Sequence, residues 1–447
     1  MRRALRENAL CAVAAAAGCA ALAWLGLYGF VWTDYEVEVQ PALEALSHGH
    51  VIGFLQLAPL YGGSLIERAP FALLPGLWGG GALAVYRAVA VPCLLSCAAL
   101  GVALVAVMRS ARKPPLARAV VLGLCVANPI SLIALEKGHP EELLGASLCV
   151  GALLLAGARE IGARRALVAG MLLGLAVANK EWALLAVGPV LLALPAGRRL
   201  GCLAAALGVA AVLEAPLLLA GAGGYAGAAA SAAHGSGIFQ PWQAWWFLGR
   251  HGALVHGLFG VAKPGYRAGP GWVASVSHPL VIAAGLAVPF ALWLRVRPRR
   301  AGLQDALVAF ALAMLLRCLL DTWDTAYYTV PALLALTAAD ALSPARRPPV
   351  IALTATVLAW VSFSWLPARV SPDAQAAAFL AWSVPLAGLL AWRLWTMAPS
   401  GRAARPPRLR DAQEMTIKSL GTPLSTSHPA SRTTARSSIR TPSASGT

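Results

Sequence analysis

Apolar runs long enough to cross a lipid bilayer recur from residue 8 to residue 394, and this bounds what the chain can fold into. About 18 apolar residues suffice for a helix to span the hydrocarbon core. The runs do not alternate apolar with polar residues as barrel strands do, and in hydrocarbon every backbone polar group must bond internally, so helices are required. The chain is 58% apolar and 12% charged, which leaves little for a separate soluble domain. An all-α polytopic membrane protein with about 12 transmembrane helices is expected. The spans are read near 8–31, 82–108, 119–135, 142–158, 166–178, 183–195, 200–221, 279–294, 303–320, 329–342, 350–366 and 375–394.

The net charge of +17 matters through its distribution. With the N-terminus cytoplasmic, 27 of the 36 lysines and arginines fall in inner segments, as the positive-inside rule requires. The acids run the other way, 13 of 19 lying in or near the outer half. Positive charge is thus mainly a topology signal rather than a nucleic-acid footprint, and the outer loops, about 32–81 and 222–278, are the expected working face. Both termini are expected in the cytoplasm. The eight cysteines all lie in apolar runs, with neither a disulfide framework nor metal-site spacing. The N-terminal apolar run continues to Val31, long enough to stay as a span rather than be cleaved. The expected division is a membrane domain over 1–395 and a disordered cytoplasmic tail over 396–447, rich in Ser, Thr, Pro and Arg.

Chemistry is sought where polar residues interrupt the apolar background. The stretch 33–71 carries Asp34, Glu36, Glu38, Glu44, Glu67, Arg68, His48 and His50. Asp34 and Glu36 are either solvated loop acids or, on a strand, residues sharing one face. Further along come Glu136-Lys137-Gly138-His139-Pro140-Glu141-Glu142, Asn179-Lys180-Glu181-Trp182, and Arg317 with Asp321, Trp323, Asp324, Tyr327 and Tyr328. Each lies at a span end on the same side, so converging helix ends around an outer cavity are expected.

Each candidate has a structural alternative. Lys180 joins two arms of about 13 residues, roughly 20 Å of helix against a roughly 30 Å core. It either faces a cavity as a site residue or snorkels to the interface. Glu141 and Glu142 after Pro140 either complement the helix dipole or face a ligand. Arg317 and Asp321 can pair one turn apart. Trp242, Trp245, Trp246 and Phe247 are either an interfacial belt or a stacking wall for a sugar or lipid chain.

Several segments together resemble the polytopic integral-membrane glycosyltransferases of the GT-C type. They are TDYE at 33–36, YGGSLIERAPF at 61–71, KGHPEELLGA at 137–146, LLGLAVANKEWALLAVGPVLLAL at 172–194, QPWQAWW at 240–246 and LRCLLDTWDTAYYTVPALLAL at 316–336. Within that type the chain is most similar to the polyprenol-phosphate-mannose-dependent mannosyltransferase-like group, glycosyltransferase family 87. The resemblance covers about residues 8–395. It implies a polyprenyl-phosphate-linked sugar donor, a membrane-lipid or cell-envelope glycan acceptor, and transfer on the outer face of a bacterial cytoplasmic membrane.

On that resemblance Asp34 is the acid that acts as base. Lys180, Arg68 and His139 are then expected to hold the donor phosphate. Glu36, Glu141, Glu142, Asp321, Asp324, Tyr328 and Trp245 are expected at the sugar or acceptor. A divalent metal is compatible with the paired acids but not required, and no metal ligand is assigned. The alternative in another class is a transporter or lipid flippase; a third is a non-catalytic membrane scaffold.

Overall fold

The computed structural model describes residues 2–30, 34–59, 61–158, 160–221, 240–252, 255–256, 262–322, 324–345 and 347–396, with side chains for all but 2–6, 8 and 34. These residues belong to one compact unit, Met1–Gly401. The expected disordered tail from 396 and the first part of the second outer loop, 222–239, lie outside the described residues apart from Thr396, which closes the last helix.

The helices, in chain order, are α1 (Arg2–Tyr28), α2 (Asp34–Glu38), α3 (Gln40–Ser47), α4 (Val51–Leu57), α5 (Gly62–Leu73), α6 (Ala82–Ser110), α7 (Pro115–Val126), α8 (Pro129–Glu136), α9 (Glu141–Ala156), α10 (Ala163–Asn179), α11 (Val187–Ala193), α12 (Ala196–Ala220), α13 (Gly271–Val296), α14 (Leu303–Leu320), α15 (Val330–Leu342), α16 (Val350–Trp360) and α17 (Pro372–Thr396). Among the described residues no strand forms beyond two isolated bridges, Arg250 with Ala268 and His256 with Ala262. Among the described residues, seven stretches are long and apolar enough to cross a membrane: Ala9–Tyr28, Ala82–Ser110, Pro115–Glu136, Ala196–Ala220, Gly271–Val296, Leu303–Leu320 and Pro372–Thr396. The chain is therefore a helical, multi-pass membrane protein.

The expected spans and the helices differ in instructive places. The stretch expected at 119–135 is two helices, broken at Ala127-Asn128. Pro129 lacks an N–H and suits the first helical turn, while Asn128 Oδ1 accepts from Ile130 N at 2.9 Å and caps α8. The expected span at 279–294 begins eight residues earlier, at Gly271, and passes through Pro279, so His278 is helical. The second arm at 183–195 is a 3-10 turn over Glu181–Ala186 followed by the seven-residue α11.

The polar run at 33–71 forms short helices rather than a loop or strand. α3 is amphipathic and buries Ala42, Leu43 and Leu46. Because 34–38 is helical, positions 34 and 36 lie on different faces, and the shared face expected of a strand does not arise. α5 packs closely on the end of α10. A Cβ on Gly63 would lie 2.4 Å from the Ala178 carbonyl oxygen, so only glycine admits this approach.

α14 and α15 are largely apolar apart from residues near their ends and buried almost throughout, as helices at the centre of a bundle are. α13 and α17 pack on α14, and with α1 and α12 they expose large apolar side chains, among them Leu200 (81%), Leu219 (87%) and Trp395 (71%). Such surface has no place in water and is the face that meets lipid.

Candidate functional site

Carboxylates and cations from the polar span ends meet at one end of the bundle. The turn Lys137–Pro140 presents His139 and the first residues of α9, and its Gly138 has φ +86°. That left-handed conformation suits glycine, and Tyr35 of α2 packs so closely that a Cβ on Gly138 would lie 2.5 Å from the tyrosine Cβ. The Asp34 side chain lies outside the described residues, but its neighbour Tyr35 is buried against the turn that carries the cluster.

Glu141 is the hub. Its Oε1 lies 2.8 Å from His139 Nδ1 and 3.5 Å from Lys180 Nζ, and its Oε2 lies 3.6 Å from Arg68. All four residues are buried. Glu142 Oε1 lies 3.7 Å from Lys180 Nζ. Asn179 Nδ2 donates to the Glu141 carbonyl at 2.8 Å, which ties the end of α10 to the start of α9. Arg68 is held on its own helix, donating from Nε to the Ser64 carbonyl at 3.0 Å and from Nη2 to Ser64 Oγ at 2.8 Å. The three expected phosphate ligands therefore converge, with a carboxylate among them.

A second group adjoins the first. The Arg317 guanidinium lies over the Tyr328 ring at 3.8 Å, is 6.0 Å from the Trp182 ring, and approaches Asp321 Oδ2 at 3.7 Å. His278, which on sequence falls outside both the expected span and the expected site, lies 3.3 Å from Asp321 Oδ1. The His139 ring stacks on Tyr327 at 4.4 Å.

The cluster is not internally satisfied. Among the described residues, neither carboxylate oxygen of Glu142 or Asp324 has a hydrogen bond from an N–H or O–H group, and Arg317 Nη1 and Trp182 Nε1 lack an acceptor. Burial pushes the Asp324 carboxyl well above the usual range, with Asp321 adding to the effect; Arg317 and the neighbouring Cys318 thiol oppose it. Among the described residues, acceptors and donors without hydrogen bonds thus gather in one buried region.

On sequence Glu38 is one acid of the polar run 33–71 with no role assigned to it. It is exposed, yet Tyr61 Oη donates to its Oε2 at 2.5 Å, and the Tyr61 ring lies under Lys180 Nζ at 3.7 Å. It thus stands at the mouth of the cluster, one helical turn from position 34. Burial raises the Tyr61 hydroxyl well above its ordinary value, and the Glu38 and Glu141 charges add to this. Only the tertiary contact of α2 with Tyr61, the residue before α5, reveals that role. Glu36 is solvent-exposed and meets none of these groups.

Glu67 of α5 is pushed up to about 8 by burial, with Arg68 opposing and Glu214 adding to the shift. Its Oε1 has no hydrogen-bond partner among the described residues.

The aromatic segment 240–246 reads the backbone of the 319–324 turn. Trp242 Nε1 donates to Asp324 O at 2.8 Å, Gln243 Nε2 to Thr322 O at 3.0 Å, Ala244 N to Leu319 O at 2.8 Å and Trp245 Nε1 to Leu320 O at 2.7 Å. Trp245 therefore fixes the acid-bearing turn with its indole N–H, while its ring meets Trp272 edge-on at 6.2 Å. Next to it, Asp373 accepts from Trp246 Nε1 at 2.7 Å and from Arg267 at 2.8 Å on each oxygen.

No group of three or more metal-ligating side chains capable of holding an ion occurs among the described residues. The cations at the cluster suit an anion better than a metal. No family model matches the chain, and no curated protein matches it.

Proposed function

We propose that the chain is a GT-C-type membrane glycosyltransferase that moves a mannose-like hexose from a polyprenyl-phosphate sugar to a lipid or glycan acceptor outside a bacterial cytoplasmic membrane. In this reading twelve spans cross the bilayer, both termini are cytoplasmic and the Glu141 cluster faces outward. The observation that carries it is the buried pairing of unmet donors and acceptors with three fixed cations. A sugar offers hydroxyls that both donate and accept, and a lipid phosphate offers the anion that Arg68, Lys180 and Arg317 attract.

The reaction follows from these groups. The acceptor hydroxyl gives its proton to the Asp34 carboxylate as its oxygen bonds to the anomeric carbon. The bond from that carbon to the phosphate oxygen breaks through an oxocarbenium-like state. The polyprenyl phosphate leaves carrying the electron pair, and the buried cations stabilise its growing charge. For Lys180 and Arg68 to do so, Glu141 must give up part of its hold, so donor binding is expected to rearrange His139 and Glu141.

A second reading, a transporter or lipid flippase, draws on one observation: among the described residues, Glu142 and Asp324 are buried carboxylates with no hydrogen bond from an N–H or O–H group, the kind of group that exchanges protons. Transfer of labelled sugar from polyprenyl-phosphate donors in membranes holding wild type, Asp34→Ala and Asp34→Asn decides between them. Loss of transfer in both variants at matched protein level is expected. Unchanged transfer removes Asp34 as base, and no transfer from any donor with wild type favours the transporter.

A further inference from the structure

At the opposite end of the bundle, between the start of α12 and the end of α13, lies a cavity of about 340 Å³. That this is the opposite end follows from the chain direction. α13 starts beside Trp245 and ends at Val296, and α12 ends where Gly221 abuts Leu55 of α4. Four of the cavity's eight lining residues are Arg199, Arg297, Arg299 and Arg300, and none is acidic.

The walls are fixed from three sides. Ala301 N donates to Leu192 O at 2.8 Å, Arg300 Nη1 to Ala158 O at 3.1 Å and Arg199 Nε to Leu194 O at 3.4 Å. The Arg297 guanidinium rests 5.0 Å from the Trp293 ring. Among the described residues, no carboxylate lies within ion-pair distance of Arg297 or Arg299. Arginines at this end are expected from topology alone, but topology does not require four of them around one hollow, where they repel each other.

An anion with several oxygens removes that repulsion. The guanidinium fork matches phosphate geometry, and the first turn of the 25-residue α12, at Ala196 on the cavity wall, adds the positive end of its dipole. The last turns of α13 expose Phe290 (57%), Trp293 (37%) and Leu294 (42%) next to the arginines. That apolar track is suited to an acyl chain beside a charged head. We propose that this cavity binds the phosphate of an anionic lipid headgroup, a site separate from the Glu141 cluster and independent of the transferase reading.

The test uses the full chain in phosphatidylcholine nanodiscs doped with phosphatidylglycerol, with bound lipid counted by native mass spectrometry. Arg297→Gln/Arg299→Gln is compared with wild type and with Arg164→Gln/Arg165→Gln, which removes charge at the same end but outside the cavity. Neutralising two arginines beside the phosphate corresponds to roughly thirtyfold weaker retention of phosphatidylglycerol. The expected result is that weakening in the cavity variant alone, with an unchanged melting temperature in neutral detergent. Equal weakening in both double variants, or in neither, overturns the proposal. Titration with inorganic phosphate separates the sources. Displacement of the lipid at millimolar phosphate means that the site takes phosphate itself and overturns the lipid assignment; no displacement means that the acyl chain is part of what is bound.

Discussion

The Lys180 ammonium lies 3.7 Å from the centre of the Tyr61 ring, which bridges it to Glu38 at the mouth of the buried cluster. Through this contact the stretch before α5 covers a lysine that faces Glu141 and Glu142 from the other side. Burial of the ammonium is sustained by three neighbours, so removing the charge exposes all of them to its absence.

Lys180→Met should therefore destabilise the protein by about 3–5 kcal/mol, the range for breaking one partner out of a buried ion pair. The double variant with Glu141→Leu should recover part of that loss. Thermal unfolding in detergent, read as a double-mutant cycle, checks this. Strict additivity would mean that the two residues do not act on each other.

Gly63→Ala should disturb the cluster from outside it. The new methyl meets the Ala178 carbonyl at 2.4 Å, so α5 must lift and carry Ser64 and Arg68 away from α10. A cost of about 1–3 kcal/mol is expected, as for overpacking elsewhere. A cysteine cross-link between α5 and α10 that forms readily in wild type should slow in the variant.

The raised Glu67 carboxyl makes stability depend on pH. The folded-state value of about 8 lies above the ordinary value of 4.5, so the fold holds the proton more tightly than the unfolded chain does. Its stabilising share is complete below pH 4.5 and falls away as pH rises to about 8 and beyond. Glu67→Gln should flatten the melting temperature across this window and leave the variant more stable than wild type at pH 8.5. Identical slopes in the two proteins would refute the assignment.

Asp373→Asn should loosen the stretches 240–252 and 262–268 without unfolding the bundle. Asp373 receives Arg267 through both oxygens and Trp246 through one, and these bonds anchor Trp246 and Arg267 to the start of α17. Hydrogen exchange in those stretches should accelerate about tenfold, while α14 and α15 stay protected.

Much of the architecture is legible in the sequence because the bilayer reduces the grammar of the chain to long apolar runs and the charges that punctuate them. The convergence of Arg68, His139, Glu141 and Lys180 can be expected from polar residues at span ends. Glu38, His278 and the break at Asn128 cannot be assigned this way. Glu38 matters only because α2 meets Tyr61, and His278 sits in the helix only because α13 runs through Pro279. Trp245 shows the limit from the other side. An aromatic cluster signals a contact, but whether its ring or its N–H makes that contact depends on a turn 75 residues away.

The way the 240–246 segment holds that turn has an evolutionary corollary. Its four donors all end on main-chain carbonyls, so they sense where residues 319–324 run rather than what those residues are. Asp321 and Asp324 can be exchanged for other side chains without losing the brace that orients them. Drift among relatives should therefore gather in the turn that is held, while the indoles and the Gln243 amide that hold it stay put.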